Sequence, residues 1–379
     1  MSNPTYDVIV VGVGAMGSAA CWQLAKRGKR VLGLERFGIP NAMGSSHGVT
    51  RIIRLAYFEG ARYVPLLRRA YELWEEAGNA FGERLFIKTG GVDASPEDGA
   101  IFTGSLQSCE EENLVHEVHS GAEINRRFPG YRIPEDYRAV FQPDGGFVLS
   151  ERAIVAHVTM AQALGAEIHA HEAVMEWTPI AGGGVRVVTD RGTYEAGRLI
   201  ISAGAWVSDF VPALKPFAEP ERQVLAWFQP RVPALFQPSA FPVCILGAPE
   251  GAWYILPIHG VPGLKLGLLG HFNERSHADD VSLAVTRADE DLLRRCVTQY
   301  FPEADGPLMA LHTCKFTMTP DEHFIVDFLP GDDDVIVASP CSGHGFKFSS
   351  AIGDVLADMA TAGKSRFDLS MFRIGRFLS

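Results

Sequence analysis

The chain lacks the features that mark several large functional classes. Its six cysteines, at positions 21, 109, 244, 296, 314 and 341, include no C-x-x-C pair. A disulfide or zinc framework is therefore not expected, no metal site is anticipated, and a cytoplasmic location fits. No run of basic residues resembles a nucleic-acid footprint, and the formal net charge is −11. Acidity of this size mainly supports solubility and does not specify a substrate. No apolar run reaches the ~18 residues that suggest a membrane span. The first apolar stretch follows only six residues, carries no basic flank and contains a glycine turn. It reads as a strand, not a signal peptide. Internal repeats, low-complexity tracts and flexible linkers are missing as well. What remains is a chain of 379 residues, 47% hydrophobic and 21% charged. That composition is ordinary for a soluble globular protein, and the length exceeds one usual core, so two domains are expected.

The glycines are more informative. Asp7 to Gly12 is an apolar run rich in β-branched residues, suited to a buried parallel strand. Gly12, Gly14 and Gly17 follow in G-x-G-x-x-G spacing. Ser18 to Gly28 then has a helical pattern with Gly28 as C-cap, and Arg30 to Glu35 reads as a second strand ending in an acid. In such a unit the first glycine permits the tight turn. The second lets backbone N–H groups approach a pyrophosphate, and the third lets helix and strand pack closely. The helix N-terminus adds the positive end of a dipole. Glu35 lies about 20 residues on, where ribose hydroxyls are recognised. Dinucleotide binding is expected. The motif does not separate FAD from NAD, and the terminal acid disfavours NADP.

Arg62 to Glu76 has apolar residues at helical spacing and reads as a core-packing helix. Phe86 to Val92 looks like a strand leaving the first domain, and Ser150 is placed to cap a helix running to about Leu164. Leu199 to Trp206 is a buried strand followed by a small-residue turn, suited to close approach to a cofactor. Residues 222–316 alternate strand-like runs with Pro and Gly turns, as in a mixed sheet covering a site. Asp334 to Ser339 returns to a buried strand, and Gly343 to Ala360 is a second glycine turn opening a helix. The expected fold is α/β (α+β overall), with a Rossmann-like domain built from 1–87, 150–217 and 322–379. A mixed-sheet substrate domain, 88–149 and 218–321, is inserted into it.

Three segments resemble the monomeric sarcosine oxidase and N-methyltryptophan oxidase family: Gly44 to Arg54, Cys314 to Asp327, and Ser342 to Ser350. With the N-terminal turn and the strand around Lys265, the likeness spans essentially the whole chain. It implies a secondary amino acid oxidase with covalently bound FAD that passes electrons to O2, monomeric and without nucleic-acid or membrane partners. By motif position Cys314 resembles the cysteine linked to the flavin 8α carbon, and Lys265 the lysine that activates oxygen. Arg54 and Lys347 match the pair that holds the substrate carboxylate. His47 and Arg51 match residues lining the flavin ring, and Tyr254 a tyrosine over the substrate. The same likeness places Met16, Arg36, Ser45, Thr50 and Val174 against the cofactor with the glycine turn. Ala203, Gly204 and Trp206 follow from the small-residue turn. Gly343, His344, Gly345 and Phe346 belong to the second one.

The chemistry suits those residue types. Cations and a helix start stabilise a flavin that gains negative charge, and an arginine with a second cation clamps a carboxylate. An isolated Arg54 would more often be a structural ion pair, whereas a lysine inside an apolar strand is costly without a purpose. His323 reads as structural and is left out of the site. Two positions depart from the family pattern. Leu269 stands where those enzymes commonly have a histidine, with His271 the nearest one, and Phe316 stands where tyrosine is frequent. Both make the pocket less polar unless His271 reaches back, and bulkier apolar substrates are expected to outrank sarcosine. The expected reaction is oxidation of a secondary amino acid to an imine with O2 reduced to H2O2. A dehydrogenase using a quinone or carrier protein is the alternative.

Overall fold

A computed structural model describes residues 6–377; the first five and last two residues of the expected cofactor-domain segments lie outside them. The strands Tyr6–Val11 and Val31–Leu34 run in parallel, Val8 opposite Val31 through Val11 opposite Leu34. Between them the helix Ala15–Lys26 packs on the helices Ser150–Ala163 and Ser349–Ala362. On the other side of the first strand lies Thr193–Ile201, parallel to it, and beyond that Asp332–Ser339, parallel to Thr193–Ile201. Glu167–His169 closes the opposite edge. Parallel strands buried on both faces need near-continuous apolar residues, which is why these runs stand out in the sequence. The hairpin Val174–Pro179 and Val185–Thr189 and the edge strand Ile325–Leu329 complete eight strands.

A second eight-stranded sheet begins with Leu308–Met318, Glu219–Phe228, Leu264–Leu268 and Gly251–Leu256. It continues through Val243–Ala248, Gly91–Ser95, Arg138–Gln142 and Glu117–Ser120. Only the pair Val243–Ala248 with Gly91–Ser95 is parallel, so the sheet is mixed. The helix Arg287–Tyr300 packs on it through Leu293, Val297 and Tyr300. A small sheet of Thr50–Ile53, Gly146–Leu149 and Phe86–Lys88 joins the two halves.

Local details depart from the pattern reading. The run from Phe86 is two strands, Phe86–Lys88 and Gly91–Ser95, which belong to different sheets. Gly90 turns the chain between them at φ 78°, and the N–H groups of Thr89 and Gly90 both donate to the Gly145 carbonyl. Ser150 is the first helical residue and Leu149 the N-cap; the Ser150 hydroxyl donates instead to Glu151. The helix expected from Arg62 runs from Val64 to Phe81, preceded by a single tighter turn.

Candidate functional site

The two sheets meet over one continuous cavity of about 600 Å³. One end is the glycine turn. Gly12 sits at φ 86°, and a Cβ there would lie 2.6 Å from the Ser202 carbonyl oxygen. At Gly17 a Cβ would lie 1.9 Å from the Gly12 carbonyl oxygen, so only glycine lets the helix seat on the strand end. Gly14 faces the cavity, with nothing nearer than 3.9 Å to a Cβ built on it. Glu35 accepts hydrogen bonds from the Val13 and Phe37 N–H groups, at 2.9 and 3.0 Å. Burial nonetheless raises its carboxyl above the ordinary range. Met16, Arg36, Val174, Ala203, Gly204 and Trp206 line the same end. Arg36 bridges to Asp279, which also accepts from the Trp206 indole at 2.8 Å.

The middle of the cavity is built around the segment 44–54. Glu151, at the start of its helix, accepts from the N–H groups of Gly48 and Val49, at 2.6 and 2.9 Å. Val49 is held at φ 71°, a conformation β-branched residues avoid, so the carboxylate pins a strained turn. Lys265, 2% exposed, donates from Nζ to the carbonyls of Gly48, at 2.7 Å, and Thr50. Burial drives its ammonium well below the usual lysine range, with Arg51 adding to the shift. Arg51 donates to the carbonyls of Thr50 and Ser45, at 2.9 and 2.8 Å, and lies 3.7 Å from Cys314 Sγ.

Ser45, Thr50, Arg51, Tyr254 and Lys265 face the cavity. Gly17, His47 and Cys314 are not on its wall. Cys314 is buried in a cluster with Leu225 and Trp227, against which Tyr254 and Phe316 pack, and its Sγ is 3.7 Å from the Ser45 carbonyl oxygen. Burial pushes His47 down to about 4, and its ring stacks on His312. The hydroxyls of Ser45 and Tyr254 and Nε2 of His47 are buried with no hydrogen-bond partner among the described residues.

At the far end lie two cations. Arg54, 2% exposed, donates to the Ala56 carbonyl at 2.6 Å and to both oxygens of Glu59 at 3.1 and 2.9 Å. Its Nε stands 3.6 Å from Asp93. Burial opposes the guanidinium charge, but Asp93 and Glu59 more than offset it and raise the group further. Lys347 donates to the His344 carbonyl at 2.7 Å and lies 3.4 Å from the Tyr57 hydroxyl. Burial pushes its ammonium down to about 7, although Glu59 opposes the shift. His344, held between Tyr57 and the Glu322 carbonyl, is pushed down to about 4 by burial.

Gly343, Gly345 and Phe346 also face this end. Leu269 and Phe316 close the wall against the Gly343 turn, 2.9 and 3.1 Å from where its Cβ would stand. His271 does not reach back. Its Nε2 pairs with Asp289 at 2.7 Å, Arg222 grips the same carboxylate, and none of the three lines the cavity.

Sequence reasoning missed Tyr57, Glu59, Asp93 and Glu151. Glu59 follows Arg54 by five residues, the only hint the segment carries. Asp93 is a charge inside an apolar strand, the same signal that singles out Lys265. The cavity suits an extended dinucleotide. A glycine turn with open space at Gly14 marks one end, and unpartnered Tyr254 and Ser45 hydroxyls lie toward the other.

Comparison with known proteins agrees with this geometry. A family model described as FAD dependent oxidoreductase matches residues 7–359. The monomeric sarcosine oxidase of Bacillus sp. (strain B-0618) is 40% identical over 377 residues, covering 98% of this chain and 96% of that protein. The N-methyl-L-tryptophan oxidase of Salmonella dublin is 33% identical over 382 residues, covering 98% and 99%. Among solved structures, NikD, an unusual amino acid oxidase essential for nikkomycin biosynthesis, superposes with a TM-score of 0.82. It is 26% identical, with 97% of each chain covered.

Proposed function

The chain belongs to the FAD dependent oxidoreductase family, and on that premise we propose that it oxidises the C–N bond of an N-methyl or cyclic secondary amino acid to an imine. O2 takes the electron pair and leaves as H2O2, and the imine hydrolyses in water. The observation that carries this proposal is one cavity joining the glycine turn to a far end where Arg54 and Lys347 stand together, with Lys265 between.

Bound FAD supplies the two-electron acceptor. Arg54 and Lys347 hold the substrate carboxylate, because two buried donors of positive charge match its two oxygens. Tyr254, whose hydroxyl has no partner among the described residues, orients the amine end. Leu269 and Phe316 keep water from the reacting carbon. A hydride leaves the carbon beside nitrogen, so a neutral amine needs no side-chain base. Lys265 places positive charge where O2 is reduced. The backbone N–H groups after Gly12 and the carboxylate of Glu35 take the diphosphate and a ribose. Cys314, 3.7 Å from Arg51 and in one cluster with Tyr254, would hold the flavin covalently.

Residues 1–87, 150–217 and 322–379 are assigned to cofactor binding, and 88–149 and 218–321 to the substrate. In support, every strand of the first sheet falls in the former set and every strand of the second in the latter.

Anaerobic addition of N-methyl and cyclic amino acids tests the activity. A substrate should bleach the flavin, and on admitting air one H2O2 should form per substrate consumed. Bleaching without H2O2 would make the protein a dehydrogenase. No bleaching across the panel would refute the proposal.

A further inference from the structure

Resting on the carboxylate clamp described above, we propose that Asp93 is a positioning residue for that clamp. Sealed behind Arg54, it competes with the substrate's carboxylate for the guanidinium and sets how strongly the clamp takes an anion.

Asp93 lies on Gly91–Ser95 and is 2% exposed. Its carboxylate stands 3.6 Å from Arg54 Nε and accepts from the Ser105 hydroxyl at 2.6 Å. That Nε has no hydrogen-bond partner among the described residues, so the contact is one of charge. The outer nitrogens are taken by the Ala56 carbonyl and Glu59. Glu59 and Ala56 therefore fix the orientation of the guanidinium, while Asp93 cancels part of its field. Removing the Asp93 charge leaves Arg54 in place and makes it a stronger anion site.

The facing groups leave two titrations in the working range. Glu59 stays ionised, since Arg54 holds its carboxyl below the ordinary range despite burial. Burial keeps Tyr57, Cys109 and Cys244 protonated and His344 neutral. Asp93 is pushed up to about 6 by burial, against the pull of Arg54. Lys347 is pushed down to about 7. An arriving anion repels ionised Asp93 and raises it further, so binding above its midpoint takes up a proton. Anion affinity should fall once as Asp93 ionises and again as Lys347 loses its charge.

The probe is 2-furoate, titrated into the holoenzyme by flavin absorbance from about pH 5 to pH 9, with proton uptake measured calorimetrically in two buffers. Asp93→Asn should bind furoate about tenfold more tightly than wild type near pH 8. It should also lose the lower slope and the share of proton uptake linked to it, and keep the upper slope with the uptake linked to Lys347. Lys347→Met should show the reverse, keeping only the lower slope. Ser105→Ala removes a hydrogen bond that favours the carboxylate and should move the lower slope to higher pH. A wild-type profile in Asp93→Asn, or an unmoved slope in Ser105→Ala, overturns the proposal. Should Asp93→Asn fail to fold, Ser105→Ala alone decides. Arg54→Met serves as the control for the clamp: unchanged furoate affinity there would remove the clamp itself, a failure distinct from that of Asp93.

Discussion

Lys265 occupies a position that a charged group leaves unless something holds it. Its ammonium is buried, and the direct hydrogen bonds that hold it come from two carbonyls and the Thr50 hydroxyl rather than a carboxylate. Such a group was legible in the sequence because a lysine in an apolar strand is expensive without a task. A cation beside the site of O2 reduction is worth ~3 kcal/mol, or about 100-fold in rate. Lys265→Met should slow flavin reoxidation in stopped-flow by that order and leave anaerobic reduction largely intact; equal losses would mean that the lysine only ties Gly48 to Thr50. Leu269 and Phe316 act in the opposite sense, by what they omit. If that wall faces the substrate as proposed, each hydrogen bond missing there should weaken a small polar substrate by about 1 kcal/mol, and apolar area should favour a larger one by ~25 cal/mol per Å². Pipecolate and N-methyl derivatives of larger amino acids should outrank sarcosine in kcat/KM. With His271 locked on Asp289, a panel led by sarcosine would leave the apolar wall without effect.

Among the elements, those with strong local periodicity were the easiest to read and those made by tertiary contacts the hardest. The glycine turn and its flanking strand and helix follow from spacing alone, since each glycine answers a steric demand. Gly17→Ala would drive a methyl into the Gly12 carbonyl. It should abolish or sharply reduce FAD content per protein, measured by absorbance after purification; full occupancy would show that the helix can shift at little cost. By contrast, the break at Gly90 and the clip of Glu151 on Gly48 and Val49 depend on Gly145 and on a distant helix. No window of sequence contains both partners, so neither was foreseen. The strand Leu308–Met318 shows both kinds. Its alternation puts Cys314 and Phe316 on one face, in one cluster with Tyr254. Cys314→Ala should lose the yellow colour that survives acid precipitation of wild type; flavin released in full from the wild-type protein would exclude the covalent bond.

Across the whole molecule the cofactor fold is assembled from three distant stretches, and the apolar runs of their parallel strands made that legible. The charge balance of the cavity was not, because it arises where both sheets meet. Arg54 directly follows a strand of the joining sheet, Asp93 comes from the second, and Lys347 from the helix start that packs on the first. The balance has a consequence for pH dependence. In the proposed clamp, productive binding needs Lys347 charged, a form favoured only below about 7 in the free protein. Hydride loss needs the substrate amine neutral, a form favoured at higher pH. These demands oppose each other, so kcat/KM should pass through a maximum between about 7 and the amine's own pKa. Burial is the main cause of the Lys347 shift, and a bound carboxylate partly reverses it. The limb set by Lys347 should therefore weaken or vanish in kcat, which reports the complex and should keep rising with pH. Lys347→Met should lower kcat/KM at every pH below the maximum and remove the distinction between the two profiles. A wild-type kcat/KM that rises without a maximum would mean that Lys347 does not hold the carboxylate in its charged form.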